Sequence, residues 1–157
     1  MGTSRAVDVE TPSPLDGATF ADAYQLDVNA PTLDAITATK RVMNAKAGWI
    51  DGLMRLRNAL VAPFGLKAAP DPRLNESNSI GMFPLISSSP TRVVLGLDDK
   101  HLDFRIVVDA LALDGKTRIT ATTFVKTHNR LGRTYLALVL PFHRIIVAKM
   151  LQEADRA

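Results

Sequence analysis

The sequence predicts an α+β domain: an antiparallel sheet with a long C-terminal helix, and two short helices after the first strand. Strand-like runs joined by short turns fill residues 81–126, and strands joined in this way pair antiparallel. Apolar residues with helical spacing precede these runs over 32–61. A longer apolar segment without alternation follows over 131–155. The 157 residues suit one domain, which we expect over residues 19–157.

The first third of the chain predicts a tail, one strand and two helices. Residues 1–18 offer little to bury, so we expect a flexible tail. Phe20–Val28 alternates weakly between apolar and polar residues and predicts the first strand. Pro31 suits a helix start, and Gly48 divides the helical spacing into two pieces. The second piece presents an apolar stripe made of Trp49, Leu53, Leu56 and Leu60.

Four further strands follow a polar, proline-containing loop over residues 67–79. The clearest alternation runs from His101 to Leu113, and Asp114-Gly115 after it predicts a type I′ hairpin turn. One face of this strand carries Asp103, Arg105 and Asp109, for which we expect cross-strand ion pairs on the outside of the sheet. The four predicted strands are Gly81–Ser87, Arg92–Leu97, His101–Leu113 and Lys116–Lys126.

The C-terminal segment Leu131–Asp155 predicts a helix that is apolar over more than half of its circumference. Such a helix must be covered on most sides or must face a cavity. Pro141 lies inside it and predicts a kink. The side that we expect to be sheltered carries Leu131, Tyr135, Leu138, Val139, Phe142, Ile145, Ile146 and Met150. The strip that we expect to face solvent carries Arg133, Thr134, Ala137, Arg144, Ala148 and Gln152.

Several classes of site are absent from the sequence. The chain has no cysteine, which excludes disulfides, thiolate metal sites and a cysteine nucleophile. It has no Gly-rich phosphate loop, no HExxH, no GxSxG and no paired metal-ligand spacing, so we expect no metal and no cofactor. The N-terminus lacks the apolar core of a signal peptide, and the longest uncharged apolar run, Thr134–Phe142, is too short to span a bilayer. We therefore expect a cytoplasmic protein without a membrane span.

The charge is unevenly distributed, although the net charge is only +3. The first 30 residues carry one cation against five acids, whereas the stretch between Gly115 and Gln152 carries seven cations and no acid. This pattern fits either a solvated face or the attraction of an anionic ligand or an acidic protein partner. Nucleic acid is not expected, because the cations are not interleaved with aromatic residues. The oligomeric state is left open.

Two histidines and two arginines are the candidate polar site residues. His143 lies within the apolar arc of the last helix, where it either meets a buried partner or points into a cavity. In a cavity, an imidazole suits hydrogen bonding or proton transfer. Arg130 and Arg133 oppose the helix dipole after the predicted N-cap Asn129, at about 0.3–1 kcal/mol each. Either an acid from elsewhere in the fold or a bound carboxylate or phosphate would compensate them.

Two stretches of the chain resemble the bacterial DUF2867 family of uncharacterised proteins. They read MFPLISSSPTRVVLGLDDKHLDFR and TATTFVKTHNRLGRTYLALVLPFHRIIVAKML, and the resemblance covers about residues 20–152. The family is similar in arrangement to the helix-grip fold, also called Bet v 1-like, START-like or SRPBCC. In that fold a strand and two short helices precede an antiparallel meander and a long closing helix. Five strands are predicted here, against seven in a full helix-grip sheet.

The resemblance implies a hydrophobic cavity for lipids, polyketides or other apolar molecules, sometimes with cyclase or dehydratase chemistry. Relatives are similar to domains attached to short-chain-dehydrogenase-like domains, which implies a redox enzyme as a candidate partner. Our hypothesis is that the protein binds a small apolar or amphipathic molecule. In one version of this hypothesis the molecule is anionic. The alternatives are a cyclase, dehydratase or isomerase using His143 or His128 as acid/base, and a protein-interaction module. The candidate ligand-binding residues are Trp49, Leu53, Phe104, Ile106, Phe124, Arg130, Arg133, Tyr135, Val139, Phe142 and His143.

Overall fold

A seven-stranded antiparallel sheet and two helices make up the fold. The computed structural model describes residues 4–43, 78–80, 83–98 and 101–155, together with Arg55 and Ala59. The described elements confirm the predicted α+β class with its long C-terminal helix. They are β1 (Arg5–Val7), β2 (Phe20–Val28), α1 (Ala35–Met43), β3 (Ser79–Ile80), β4 (Phe83–Ser88), β5 (Arg92–Asp98), β6 (Leu102–Leu113), β7 (Lys116–Thr127) and α2 (Arg130–Ala154).

The strand order is β1-β2-β7-β6-β5-β4-β3, and every neighbouring pair is antiparallel. Strands β3 to β7 form a meander, whereas β2 pairs with β7, which follows it about 90 residues later. The hairpin at Asp114-Gly115 is confirmed, but its predicted turn type is wrong. Only Gly115 has a positive φ, of 71°, whereas a type I′ turn needs a positive φ at both central residues.

One face of the sheet, which we call the inner face, packs against α1 and α2. Alternation along each strand sends every second side chain to this face. Leu26 of β2 and Ile119 of β7 are fully buried there. Burying one such side chain stabilises the fold by about 1.5–3 kcal/mol. The buried cluster that joins the sheet to both helices is Leu26, Val28, Ala38, Val42, Val108, Ile119, Ala121 and Leu151.

The opposite, outer face is partly covered by the N-terminal segment. Strand β1 pairs with the edge of β2, and buried Leu15 packs against an apolar patch of the sheet. Residues 4–18, which we expected to belong to a flexible tail, thus carry an edge strand and one buried side chain. Side-chain hydrogen bonds from Ser4 to the Ala148 carbonyl and from Thr11 to Asp109 attach the segment further. The patch consists of Val94, Val107 and Phe124.

Helix α2 is held closely at its two ends. At its start, the backbone N–H of Gly132 donates to the Asn129 side chain at 2.9 Å, which confirms the predicted N-cap. A Cβ atom on Gly132 would collide with the carbonyl oxygen of His101, so the first turn lies directly against the β5–β6 turn. Near the other end, Leu151 is fully buried in the core. Among the described residues of α2, only Gly132 and Leu151 are buried.

The side of α2 that faces the sheet differs from the predicted one. Leu138 and Ile145, expected to be sheltered, are 39% and 49% exposed. The helix is rotated so that His143 and Val147 face the sheet. All six residues of the strip that we expected to face solvent are exposed or half-exposed. By length and composition alone, α2 could also cross a membrane. The absence of a membrane span and the cytoplasmic location therefore stay predictions.

Candidate functional site

A histidine and an aspartate connect the middle of α2 to the inner face. His143 Nε2 lies 3.1 Å from Asp22 Oδ1 of β2, and the two side chains are 21% and 20% exposed. The ring of Phe20 meets the imidazole edge-to-face, with the ring centroids 6.4 Å apart. Asp22 is paired in register with Thr123 of β7, which places it on the inner face in phase with Leu26. The site therefore carries a polar pair within an otherwise apolar layer.

The second carboxylate oxygen of Asp22 is not satisfied by the described part of the chain. Oδ2 is buried, and it has no hydrogen-bond partner among the described residues. An unsatisfied buried acceptor costs about 1–3 kcal/mol, and more for a charged group. Of all the buried side-chain nitrogen and oxygen atoms in the described residues, this oxygen alone lacks a partner. The sheet thus holds an unused acceptor at the centre of the site.

Tyr24 lies two residues further along β2, on the same inner face. Its own burial raises the pKa of the Tyr24 hydroxyl above the usual value, and the nearby Asp22 carboxylate raises it further. The positive charge of Arg144 partly opposes this rise in pKa. Tyr24 consequently keeps its proton at neutral pH, so it can donate and accept hydrogen bonds beside the aspartate.

Half-buried apolar side chains lie on the inner face and on the side of α2 that carries His143. On the sheet, Phe104 and Ile106 are half-buried, and Phe104 packs edge-to-face against Phe83 with the centroids 5.3 Å apart. On the helix, Val139 lies one turn before His143 and Ile146 one turn after it, both half-buried. Tyr135 and Phe142 are half-buried as well. The structure thus places Phe104 and Ile106 on the inner face and Val139 on the same side of α2 as His143.

The remaining candidate wall residues are placed differently. Phe124 pairs in register with Arg105 and packs against Leu15, so it lies on the outer face. Its predicted place in a wall beneath α2 is wrong, because it is out of phase with Phe104 and Ile106. Trp49 and Leu53 lie outside the described residues.

His128 does not share a site with His143. Its Nε2 lies 3.0 Å from Asp103 Oδ1, and Asp103 points to the outer face, where it pairs in register with Lys126. The side chain of His128 is about one-third exposed. The two candidate catalytic histidines therefore contact opposite faces of the sheet, and only His143 reaches the inner face.

Arg130 and Arg133 are exposed at the start of α2. Neither forms an ion pair with another of the described residues, so the compensating acid that we considered is not found in this part of the chain. Arg144 and Lys149 are exposed on the same helix. These cations are exposed, and the charge of one of them, Arg144, acts on Tyr24. A bound anion at the helix start stays a prediction.

The outer face carries the predicted ion pairs. Arg92 contacts Asp109 at 2.6 Å, and Arg105 reaches across Gly96 to Asp98 at 2.7 Å. Arg118 donates hydrogen bonds to both oxygens of the Asp27 carboxylate, at 2.8 and 3.1 Å. This hydrogen-bonded pair lowers the pKa of Asp27 and raises that of Arg118. The charged side chains on this face thus hold the strands together and leave few acceptors free.

Sequence reasoning missed Asp22 and Tyr24, although a signal for them exists. In β2 the inner-face positions are Phe20, Asp22, Tyr24, Leu26 and Val28. An acid in phase with apolar residues on a half-buried strand is unusual, because burial of an unpaired carboxylate is costly. Reading the phase of β2 would have singled out Asp22 as a site residue.

Comparison with known proteins gives a family and no further relatives. A family described as a protein of unknown function (DUF2867) matches residues 14–150. No curated protein and no solved structure matches the chain.

Proposed function

Because the chain belongs to the DUF2867 family, whose function is unknown, we propose a function from the geometry of this molecule. The protein binds a small hydrophobic or amphipathic molecule in a cavity between the inner face and α2. One observation supports the proposal: α2 is buried near its two ends, whereas apolar side chains on the inner face and in the middle of α2 are only half-buried.

The physical reasoning starts from packing density. Protein interiors are packed like organic crystals, so opposed apolar side chains normally bury one another completely. Phe104 and Ile106 on the sheet, and Val139 and Ile146 on the helix, stay partly accessible instead. An apolar ligand inserted there would remove this surface from water, at about 25 cal/mol per Å². Ligand sites are commonly apolar hollows with a few polar groups, here Asp22 and His143.

We also interpret the architecture as a helix-grip fold. The supporting features are the meander from β3 to β7, the return of β2 to the side of β7, and the long helix that follows. Strand β1 would then be an addition at the edge, next to β2. In such an arrangement the sheet curves around the closing helix and leaves room beneath it.

The test fills the proposed cavity. Val139→Trp places a large side chain next to His143, whereas the matched control Ala137→Trp places the same side chain on the exposed side of α2. We expect native mass spectrometry of the wild-type protein to find a retained small molecule. We also expect the fluorescence of added 1-anilinonaphthalene-8-sulfonate to rise with wild type and the Ala137 variant, and to be at least about tenfold weaker with the Val139 variant. Equal fluorescence with both tryptophan variants would contradict the cavity.

An acid/base enzyme of the cyclase, dehydratase or isomerase type is the second candidate function. The observation that favours it is the carboxylate–imidazole contact between Asp22 and His143, since such a carboxylate orients an imidazole for proton transfer. His143→Gln keeps a hydrogen-bonding side chain and removes the titratable one. If the retained molecule is converted by the wild type, we expect this variant to bind it and to lose turnover by about 10²–10⁴-fold. Unchanged turnover would contradict the acid/base role of His143 and leave ligand binding as the only proposed function.

A further inference from the structure

We infer that the ligand in this cavity carries a hydroxyl group that donates a hydrogen bond to Asp22 Oδ2. The inference rests on the proposed function and adds the chemical class of the ligand's polar end.

The geometry assigns a distinct role to each oxygen of Asp22. Oδ1 is engaged by His143 Nε2 at 3.1 Å, whereas Oδ2 is buried without a partner among the described residues. The carboxylate is fixed between Phe20 and Tyr24 along the inner side of β2, so it cannot turn out to solvent without leaving His143. A carboxylate oxygen only accepts hydrogen bonds, so whatever satisfies Oδ2 must be a donor.

The charges around Asp22 favour a neutral donor over a charged one. A carboxylate or phosphate on the ligand would lie beside the Asp22 carboxylate and would repel it. An ammonium group would have to be desolvated beside Phe20, at a higher cost than a hydroxyl. It would also meet the positive charge of Arg144, which acts electrostatically on neighbouring Tyr24. A hydroxyl avoids all three penalties.

Tyr24 offers a second contact for the same hydroxyl. Because its burial and the Asp22 carboxylate raise the pKa of Tyr24, its phenol stays protonated and can accept from, or donate to, an alcohol. The apolar body of the ligand would then extend along Ile106 and Val139. The ligand class is an apolar alcohol, and the anionic version of our earlier hypothesis is disfavoured at this end of the cavity.

The experiment compares three probes that share one chain and differ in head group. Decan-1-ol, decylamine and decanoate are titrated into the full-length protein by isothermal calorimetry at pH 7.5. We expect decan-1-ol to bind at least about tenfold more tightly than either charged probe. Decanoate cannot donate to Oδ2 and is repelled by the Asp22 carboxylate, and decylamine must lose the hydration of its ammonium group.

Variants of two aspartates on the same strand assign the effect to Oδ2. Asp22→Val removes both oxygens and suits an apolar strand face, and Asp22→Asn keeps the shape without the charge. We expect the preference for the alcohol over decanoate to disappear in the first variant and to shrink in the second. The matched control Asp27→Asn changes the outer face of the same strand and leaves the preference unchanged. Circular dichroism checks that each variant is folded.

The outcomes separate this inference from the proposed function. If all three probes bind wild type equally well, or if both Asp22 variants keep the full preference for the alcohol, the cavity stands and the hydroxyl assignment is overturned. If the folded wild type binds none of the probes, the cavity fails, and the hydroxyl assignment fails with it.

Discussion

The aspartates on the two faces of the sheet differ in how many of their oxygens have hydrogen-bond partners. Asp27 points outward from β2, and both of its oxygens accept from Arg118. Asp22 points inward from the same strand, and one of its oxygens accepts nothing from the described residues. The two carboxylates lie five positions apart on one strand; both oxygens of Asp27 are paired, and one oxygen of Asp22 is.

This difference indicates what each face is for. Ion pairs across neighbouring strands, such as Arg92–Asp109, fix the strands against one another on the outer face. An unsatisfied carboxylate on the inner face contributes nothing to folding that an apolar side chain would not contribute better. Buried groups that cost stability are typical of functional sites. The outer face thus serves the fold, and the middle of the inner face is where we propose that a ligand binds.

The largest expected effect tests whether the inner face carries the core. Leu26→Ala removes a side chain that is 0% exposed, whereas Leu111→Ala makes the same change on the outer side of β6, where the leucine is 57% exposed. We expect the first change to lower the free energy of unfolding by about 2–5 kcal/mol. The second should stay within about 0.5 kcal/mol. Urea denaturation followed by circular dichroism measures both, and equal losses would break the contrast between the faces.

The next effect concerns the attachment of α2 above the inner face. Gly132→Ala forces a Cβ atom into the carbonyl oxygen of His101, so the first turn of the helix must shift. We expect a loss of about 1–3 kcal/mol in the free energy of unfolding. Helix propensity alone predicts the opposite sign, a gain of about 1 kcal/mol. Thermal unfolding of this variant decides between the two signs, with Thr134→Ala, an exposed position on the same helix, as the control.

The smallest expected effect concerns the outer ion pair at Asp27. Arg118 holds the pKa of Asp27 below its usual value, so the pair stabilises the fold above the unfolded pKa of about 3.9. This contribution is lost as the pH falls through the lower, folded pKa. Asp27→Asn should therefore cost about 0.2–1 kcal/mol at pH 7 and flatten the dependence of stability on pH below 4. Asp114→Asn, at an exposed turn, serves as the control.

A steeper or unchanged acid dependence in the Asp27 variant would show that the outer face does not draw its acid sensitivity from this pair. Urea midpoints measured between pH 2.5 and 7 give the comparison.

Much of the fold could be predicted because alternation and helical spacing are local. The phase of His101–Leu113 placed Ile106 on one face and Asp109 on the other, as found. Asn129 was expected to cap the last helix, and it does. Of the predicted second helix over residues 49–61, Arg55 and Ala59 are described, and both are helical. The outer ion pairs also followed from alternation, because charged residues two apart share a face.

The site itself could be predicted only in part. His143 was singled out because it lies within an apolar arc, but its partner was not. Asp22 is 121 residues earlier in the chain, and only the pairing of β2 beside β7 brings it beneath α2. Phe124 was assigned to the wrong face, since the threonine-rich stretch around it has no clear apolar phase to follow.

The sequence by itself determined the helices, the long strands and the face to which each side chain of β6 points, because these depend on the spacing of near neighbours. Only the tertiary structure decided the rotation of α2 and the meeting of Asp22 with His143. A helix that is apolar around most of its circumference has no single direction in which to turn. The contact at Gly132 and the burial of Leu151 set that direction. A contact between residues far apart in the chain, such as Asp22 and His143, forms only when the strands and the helix have packed together.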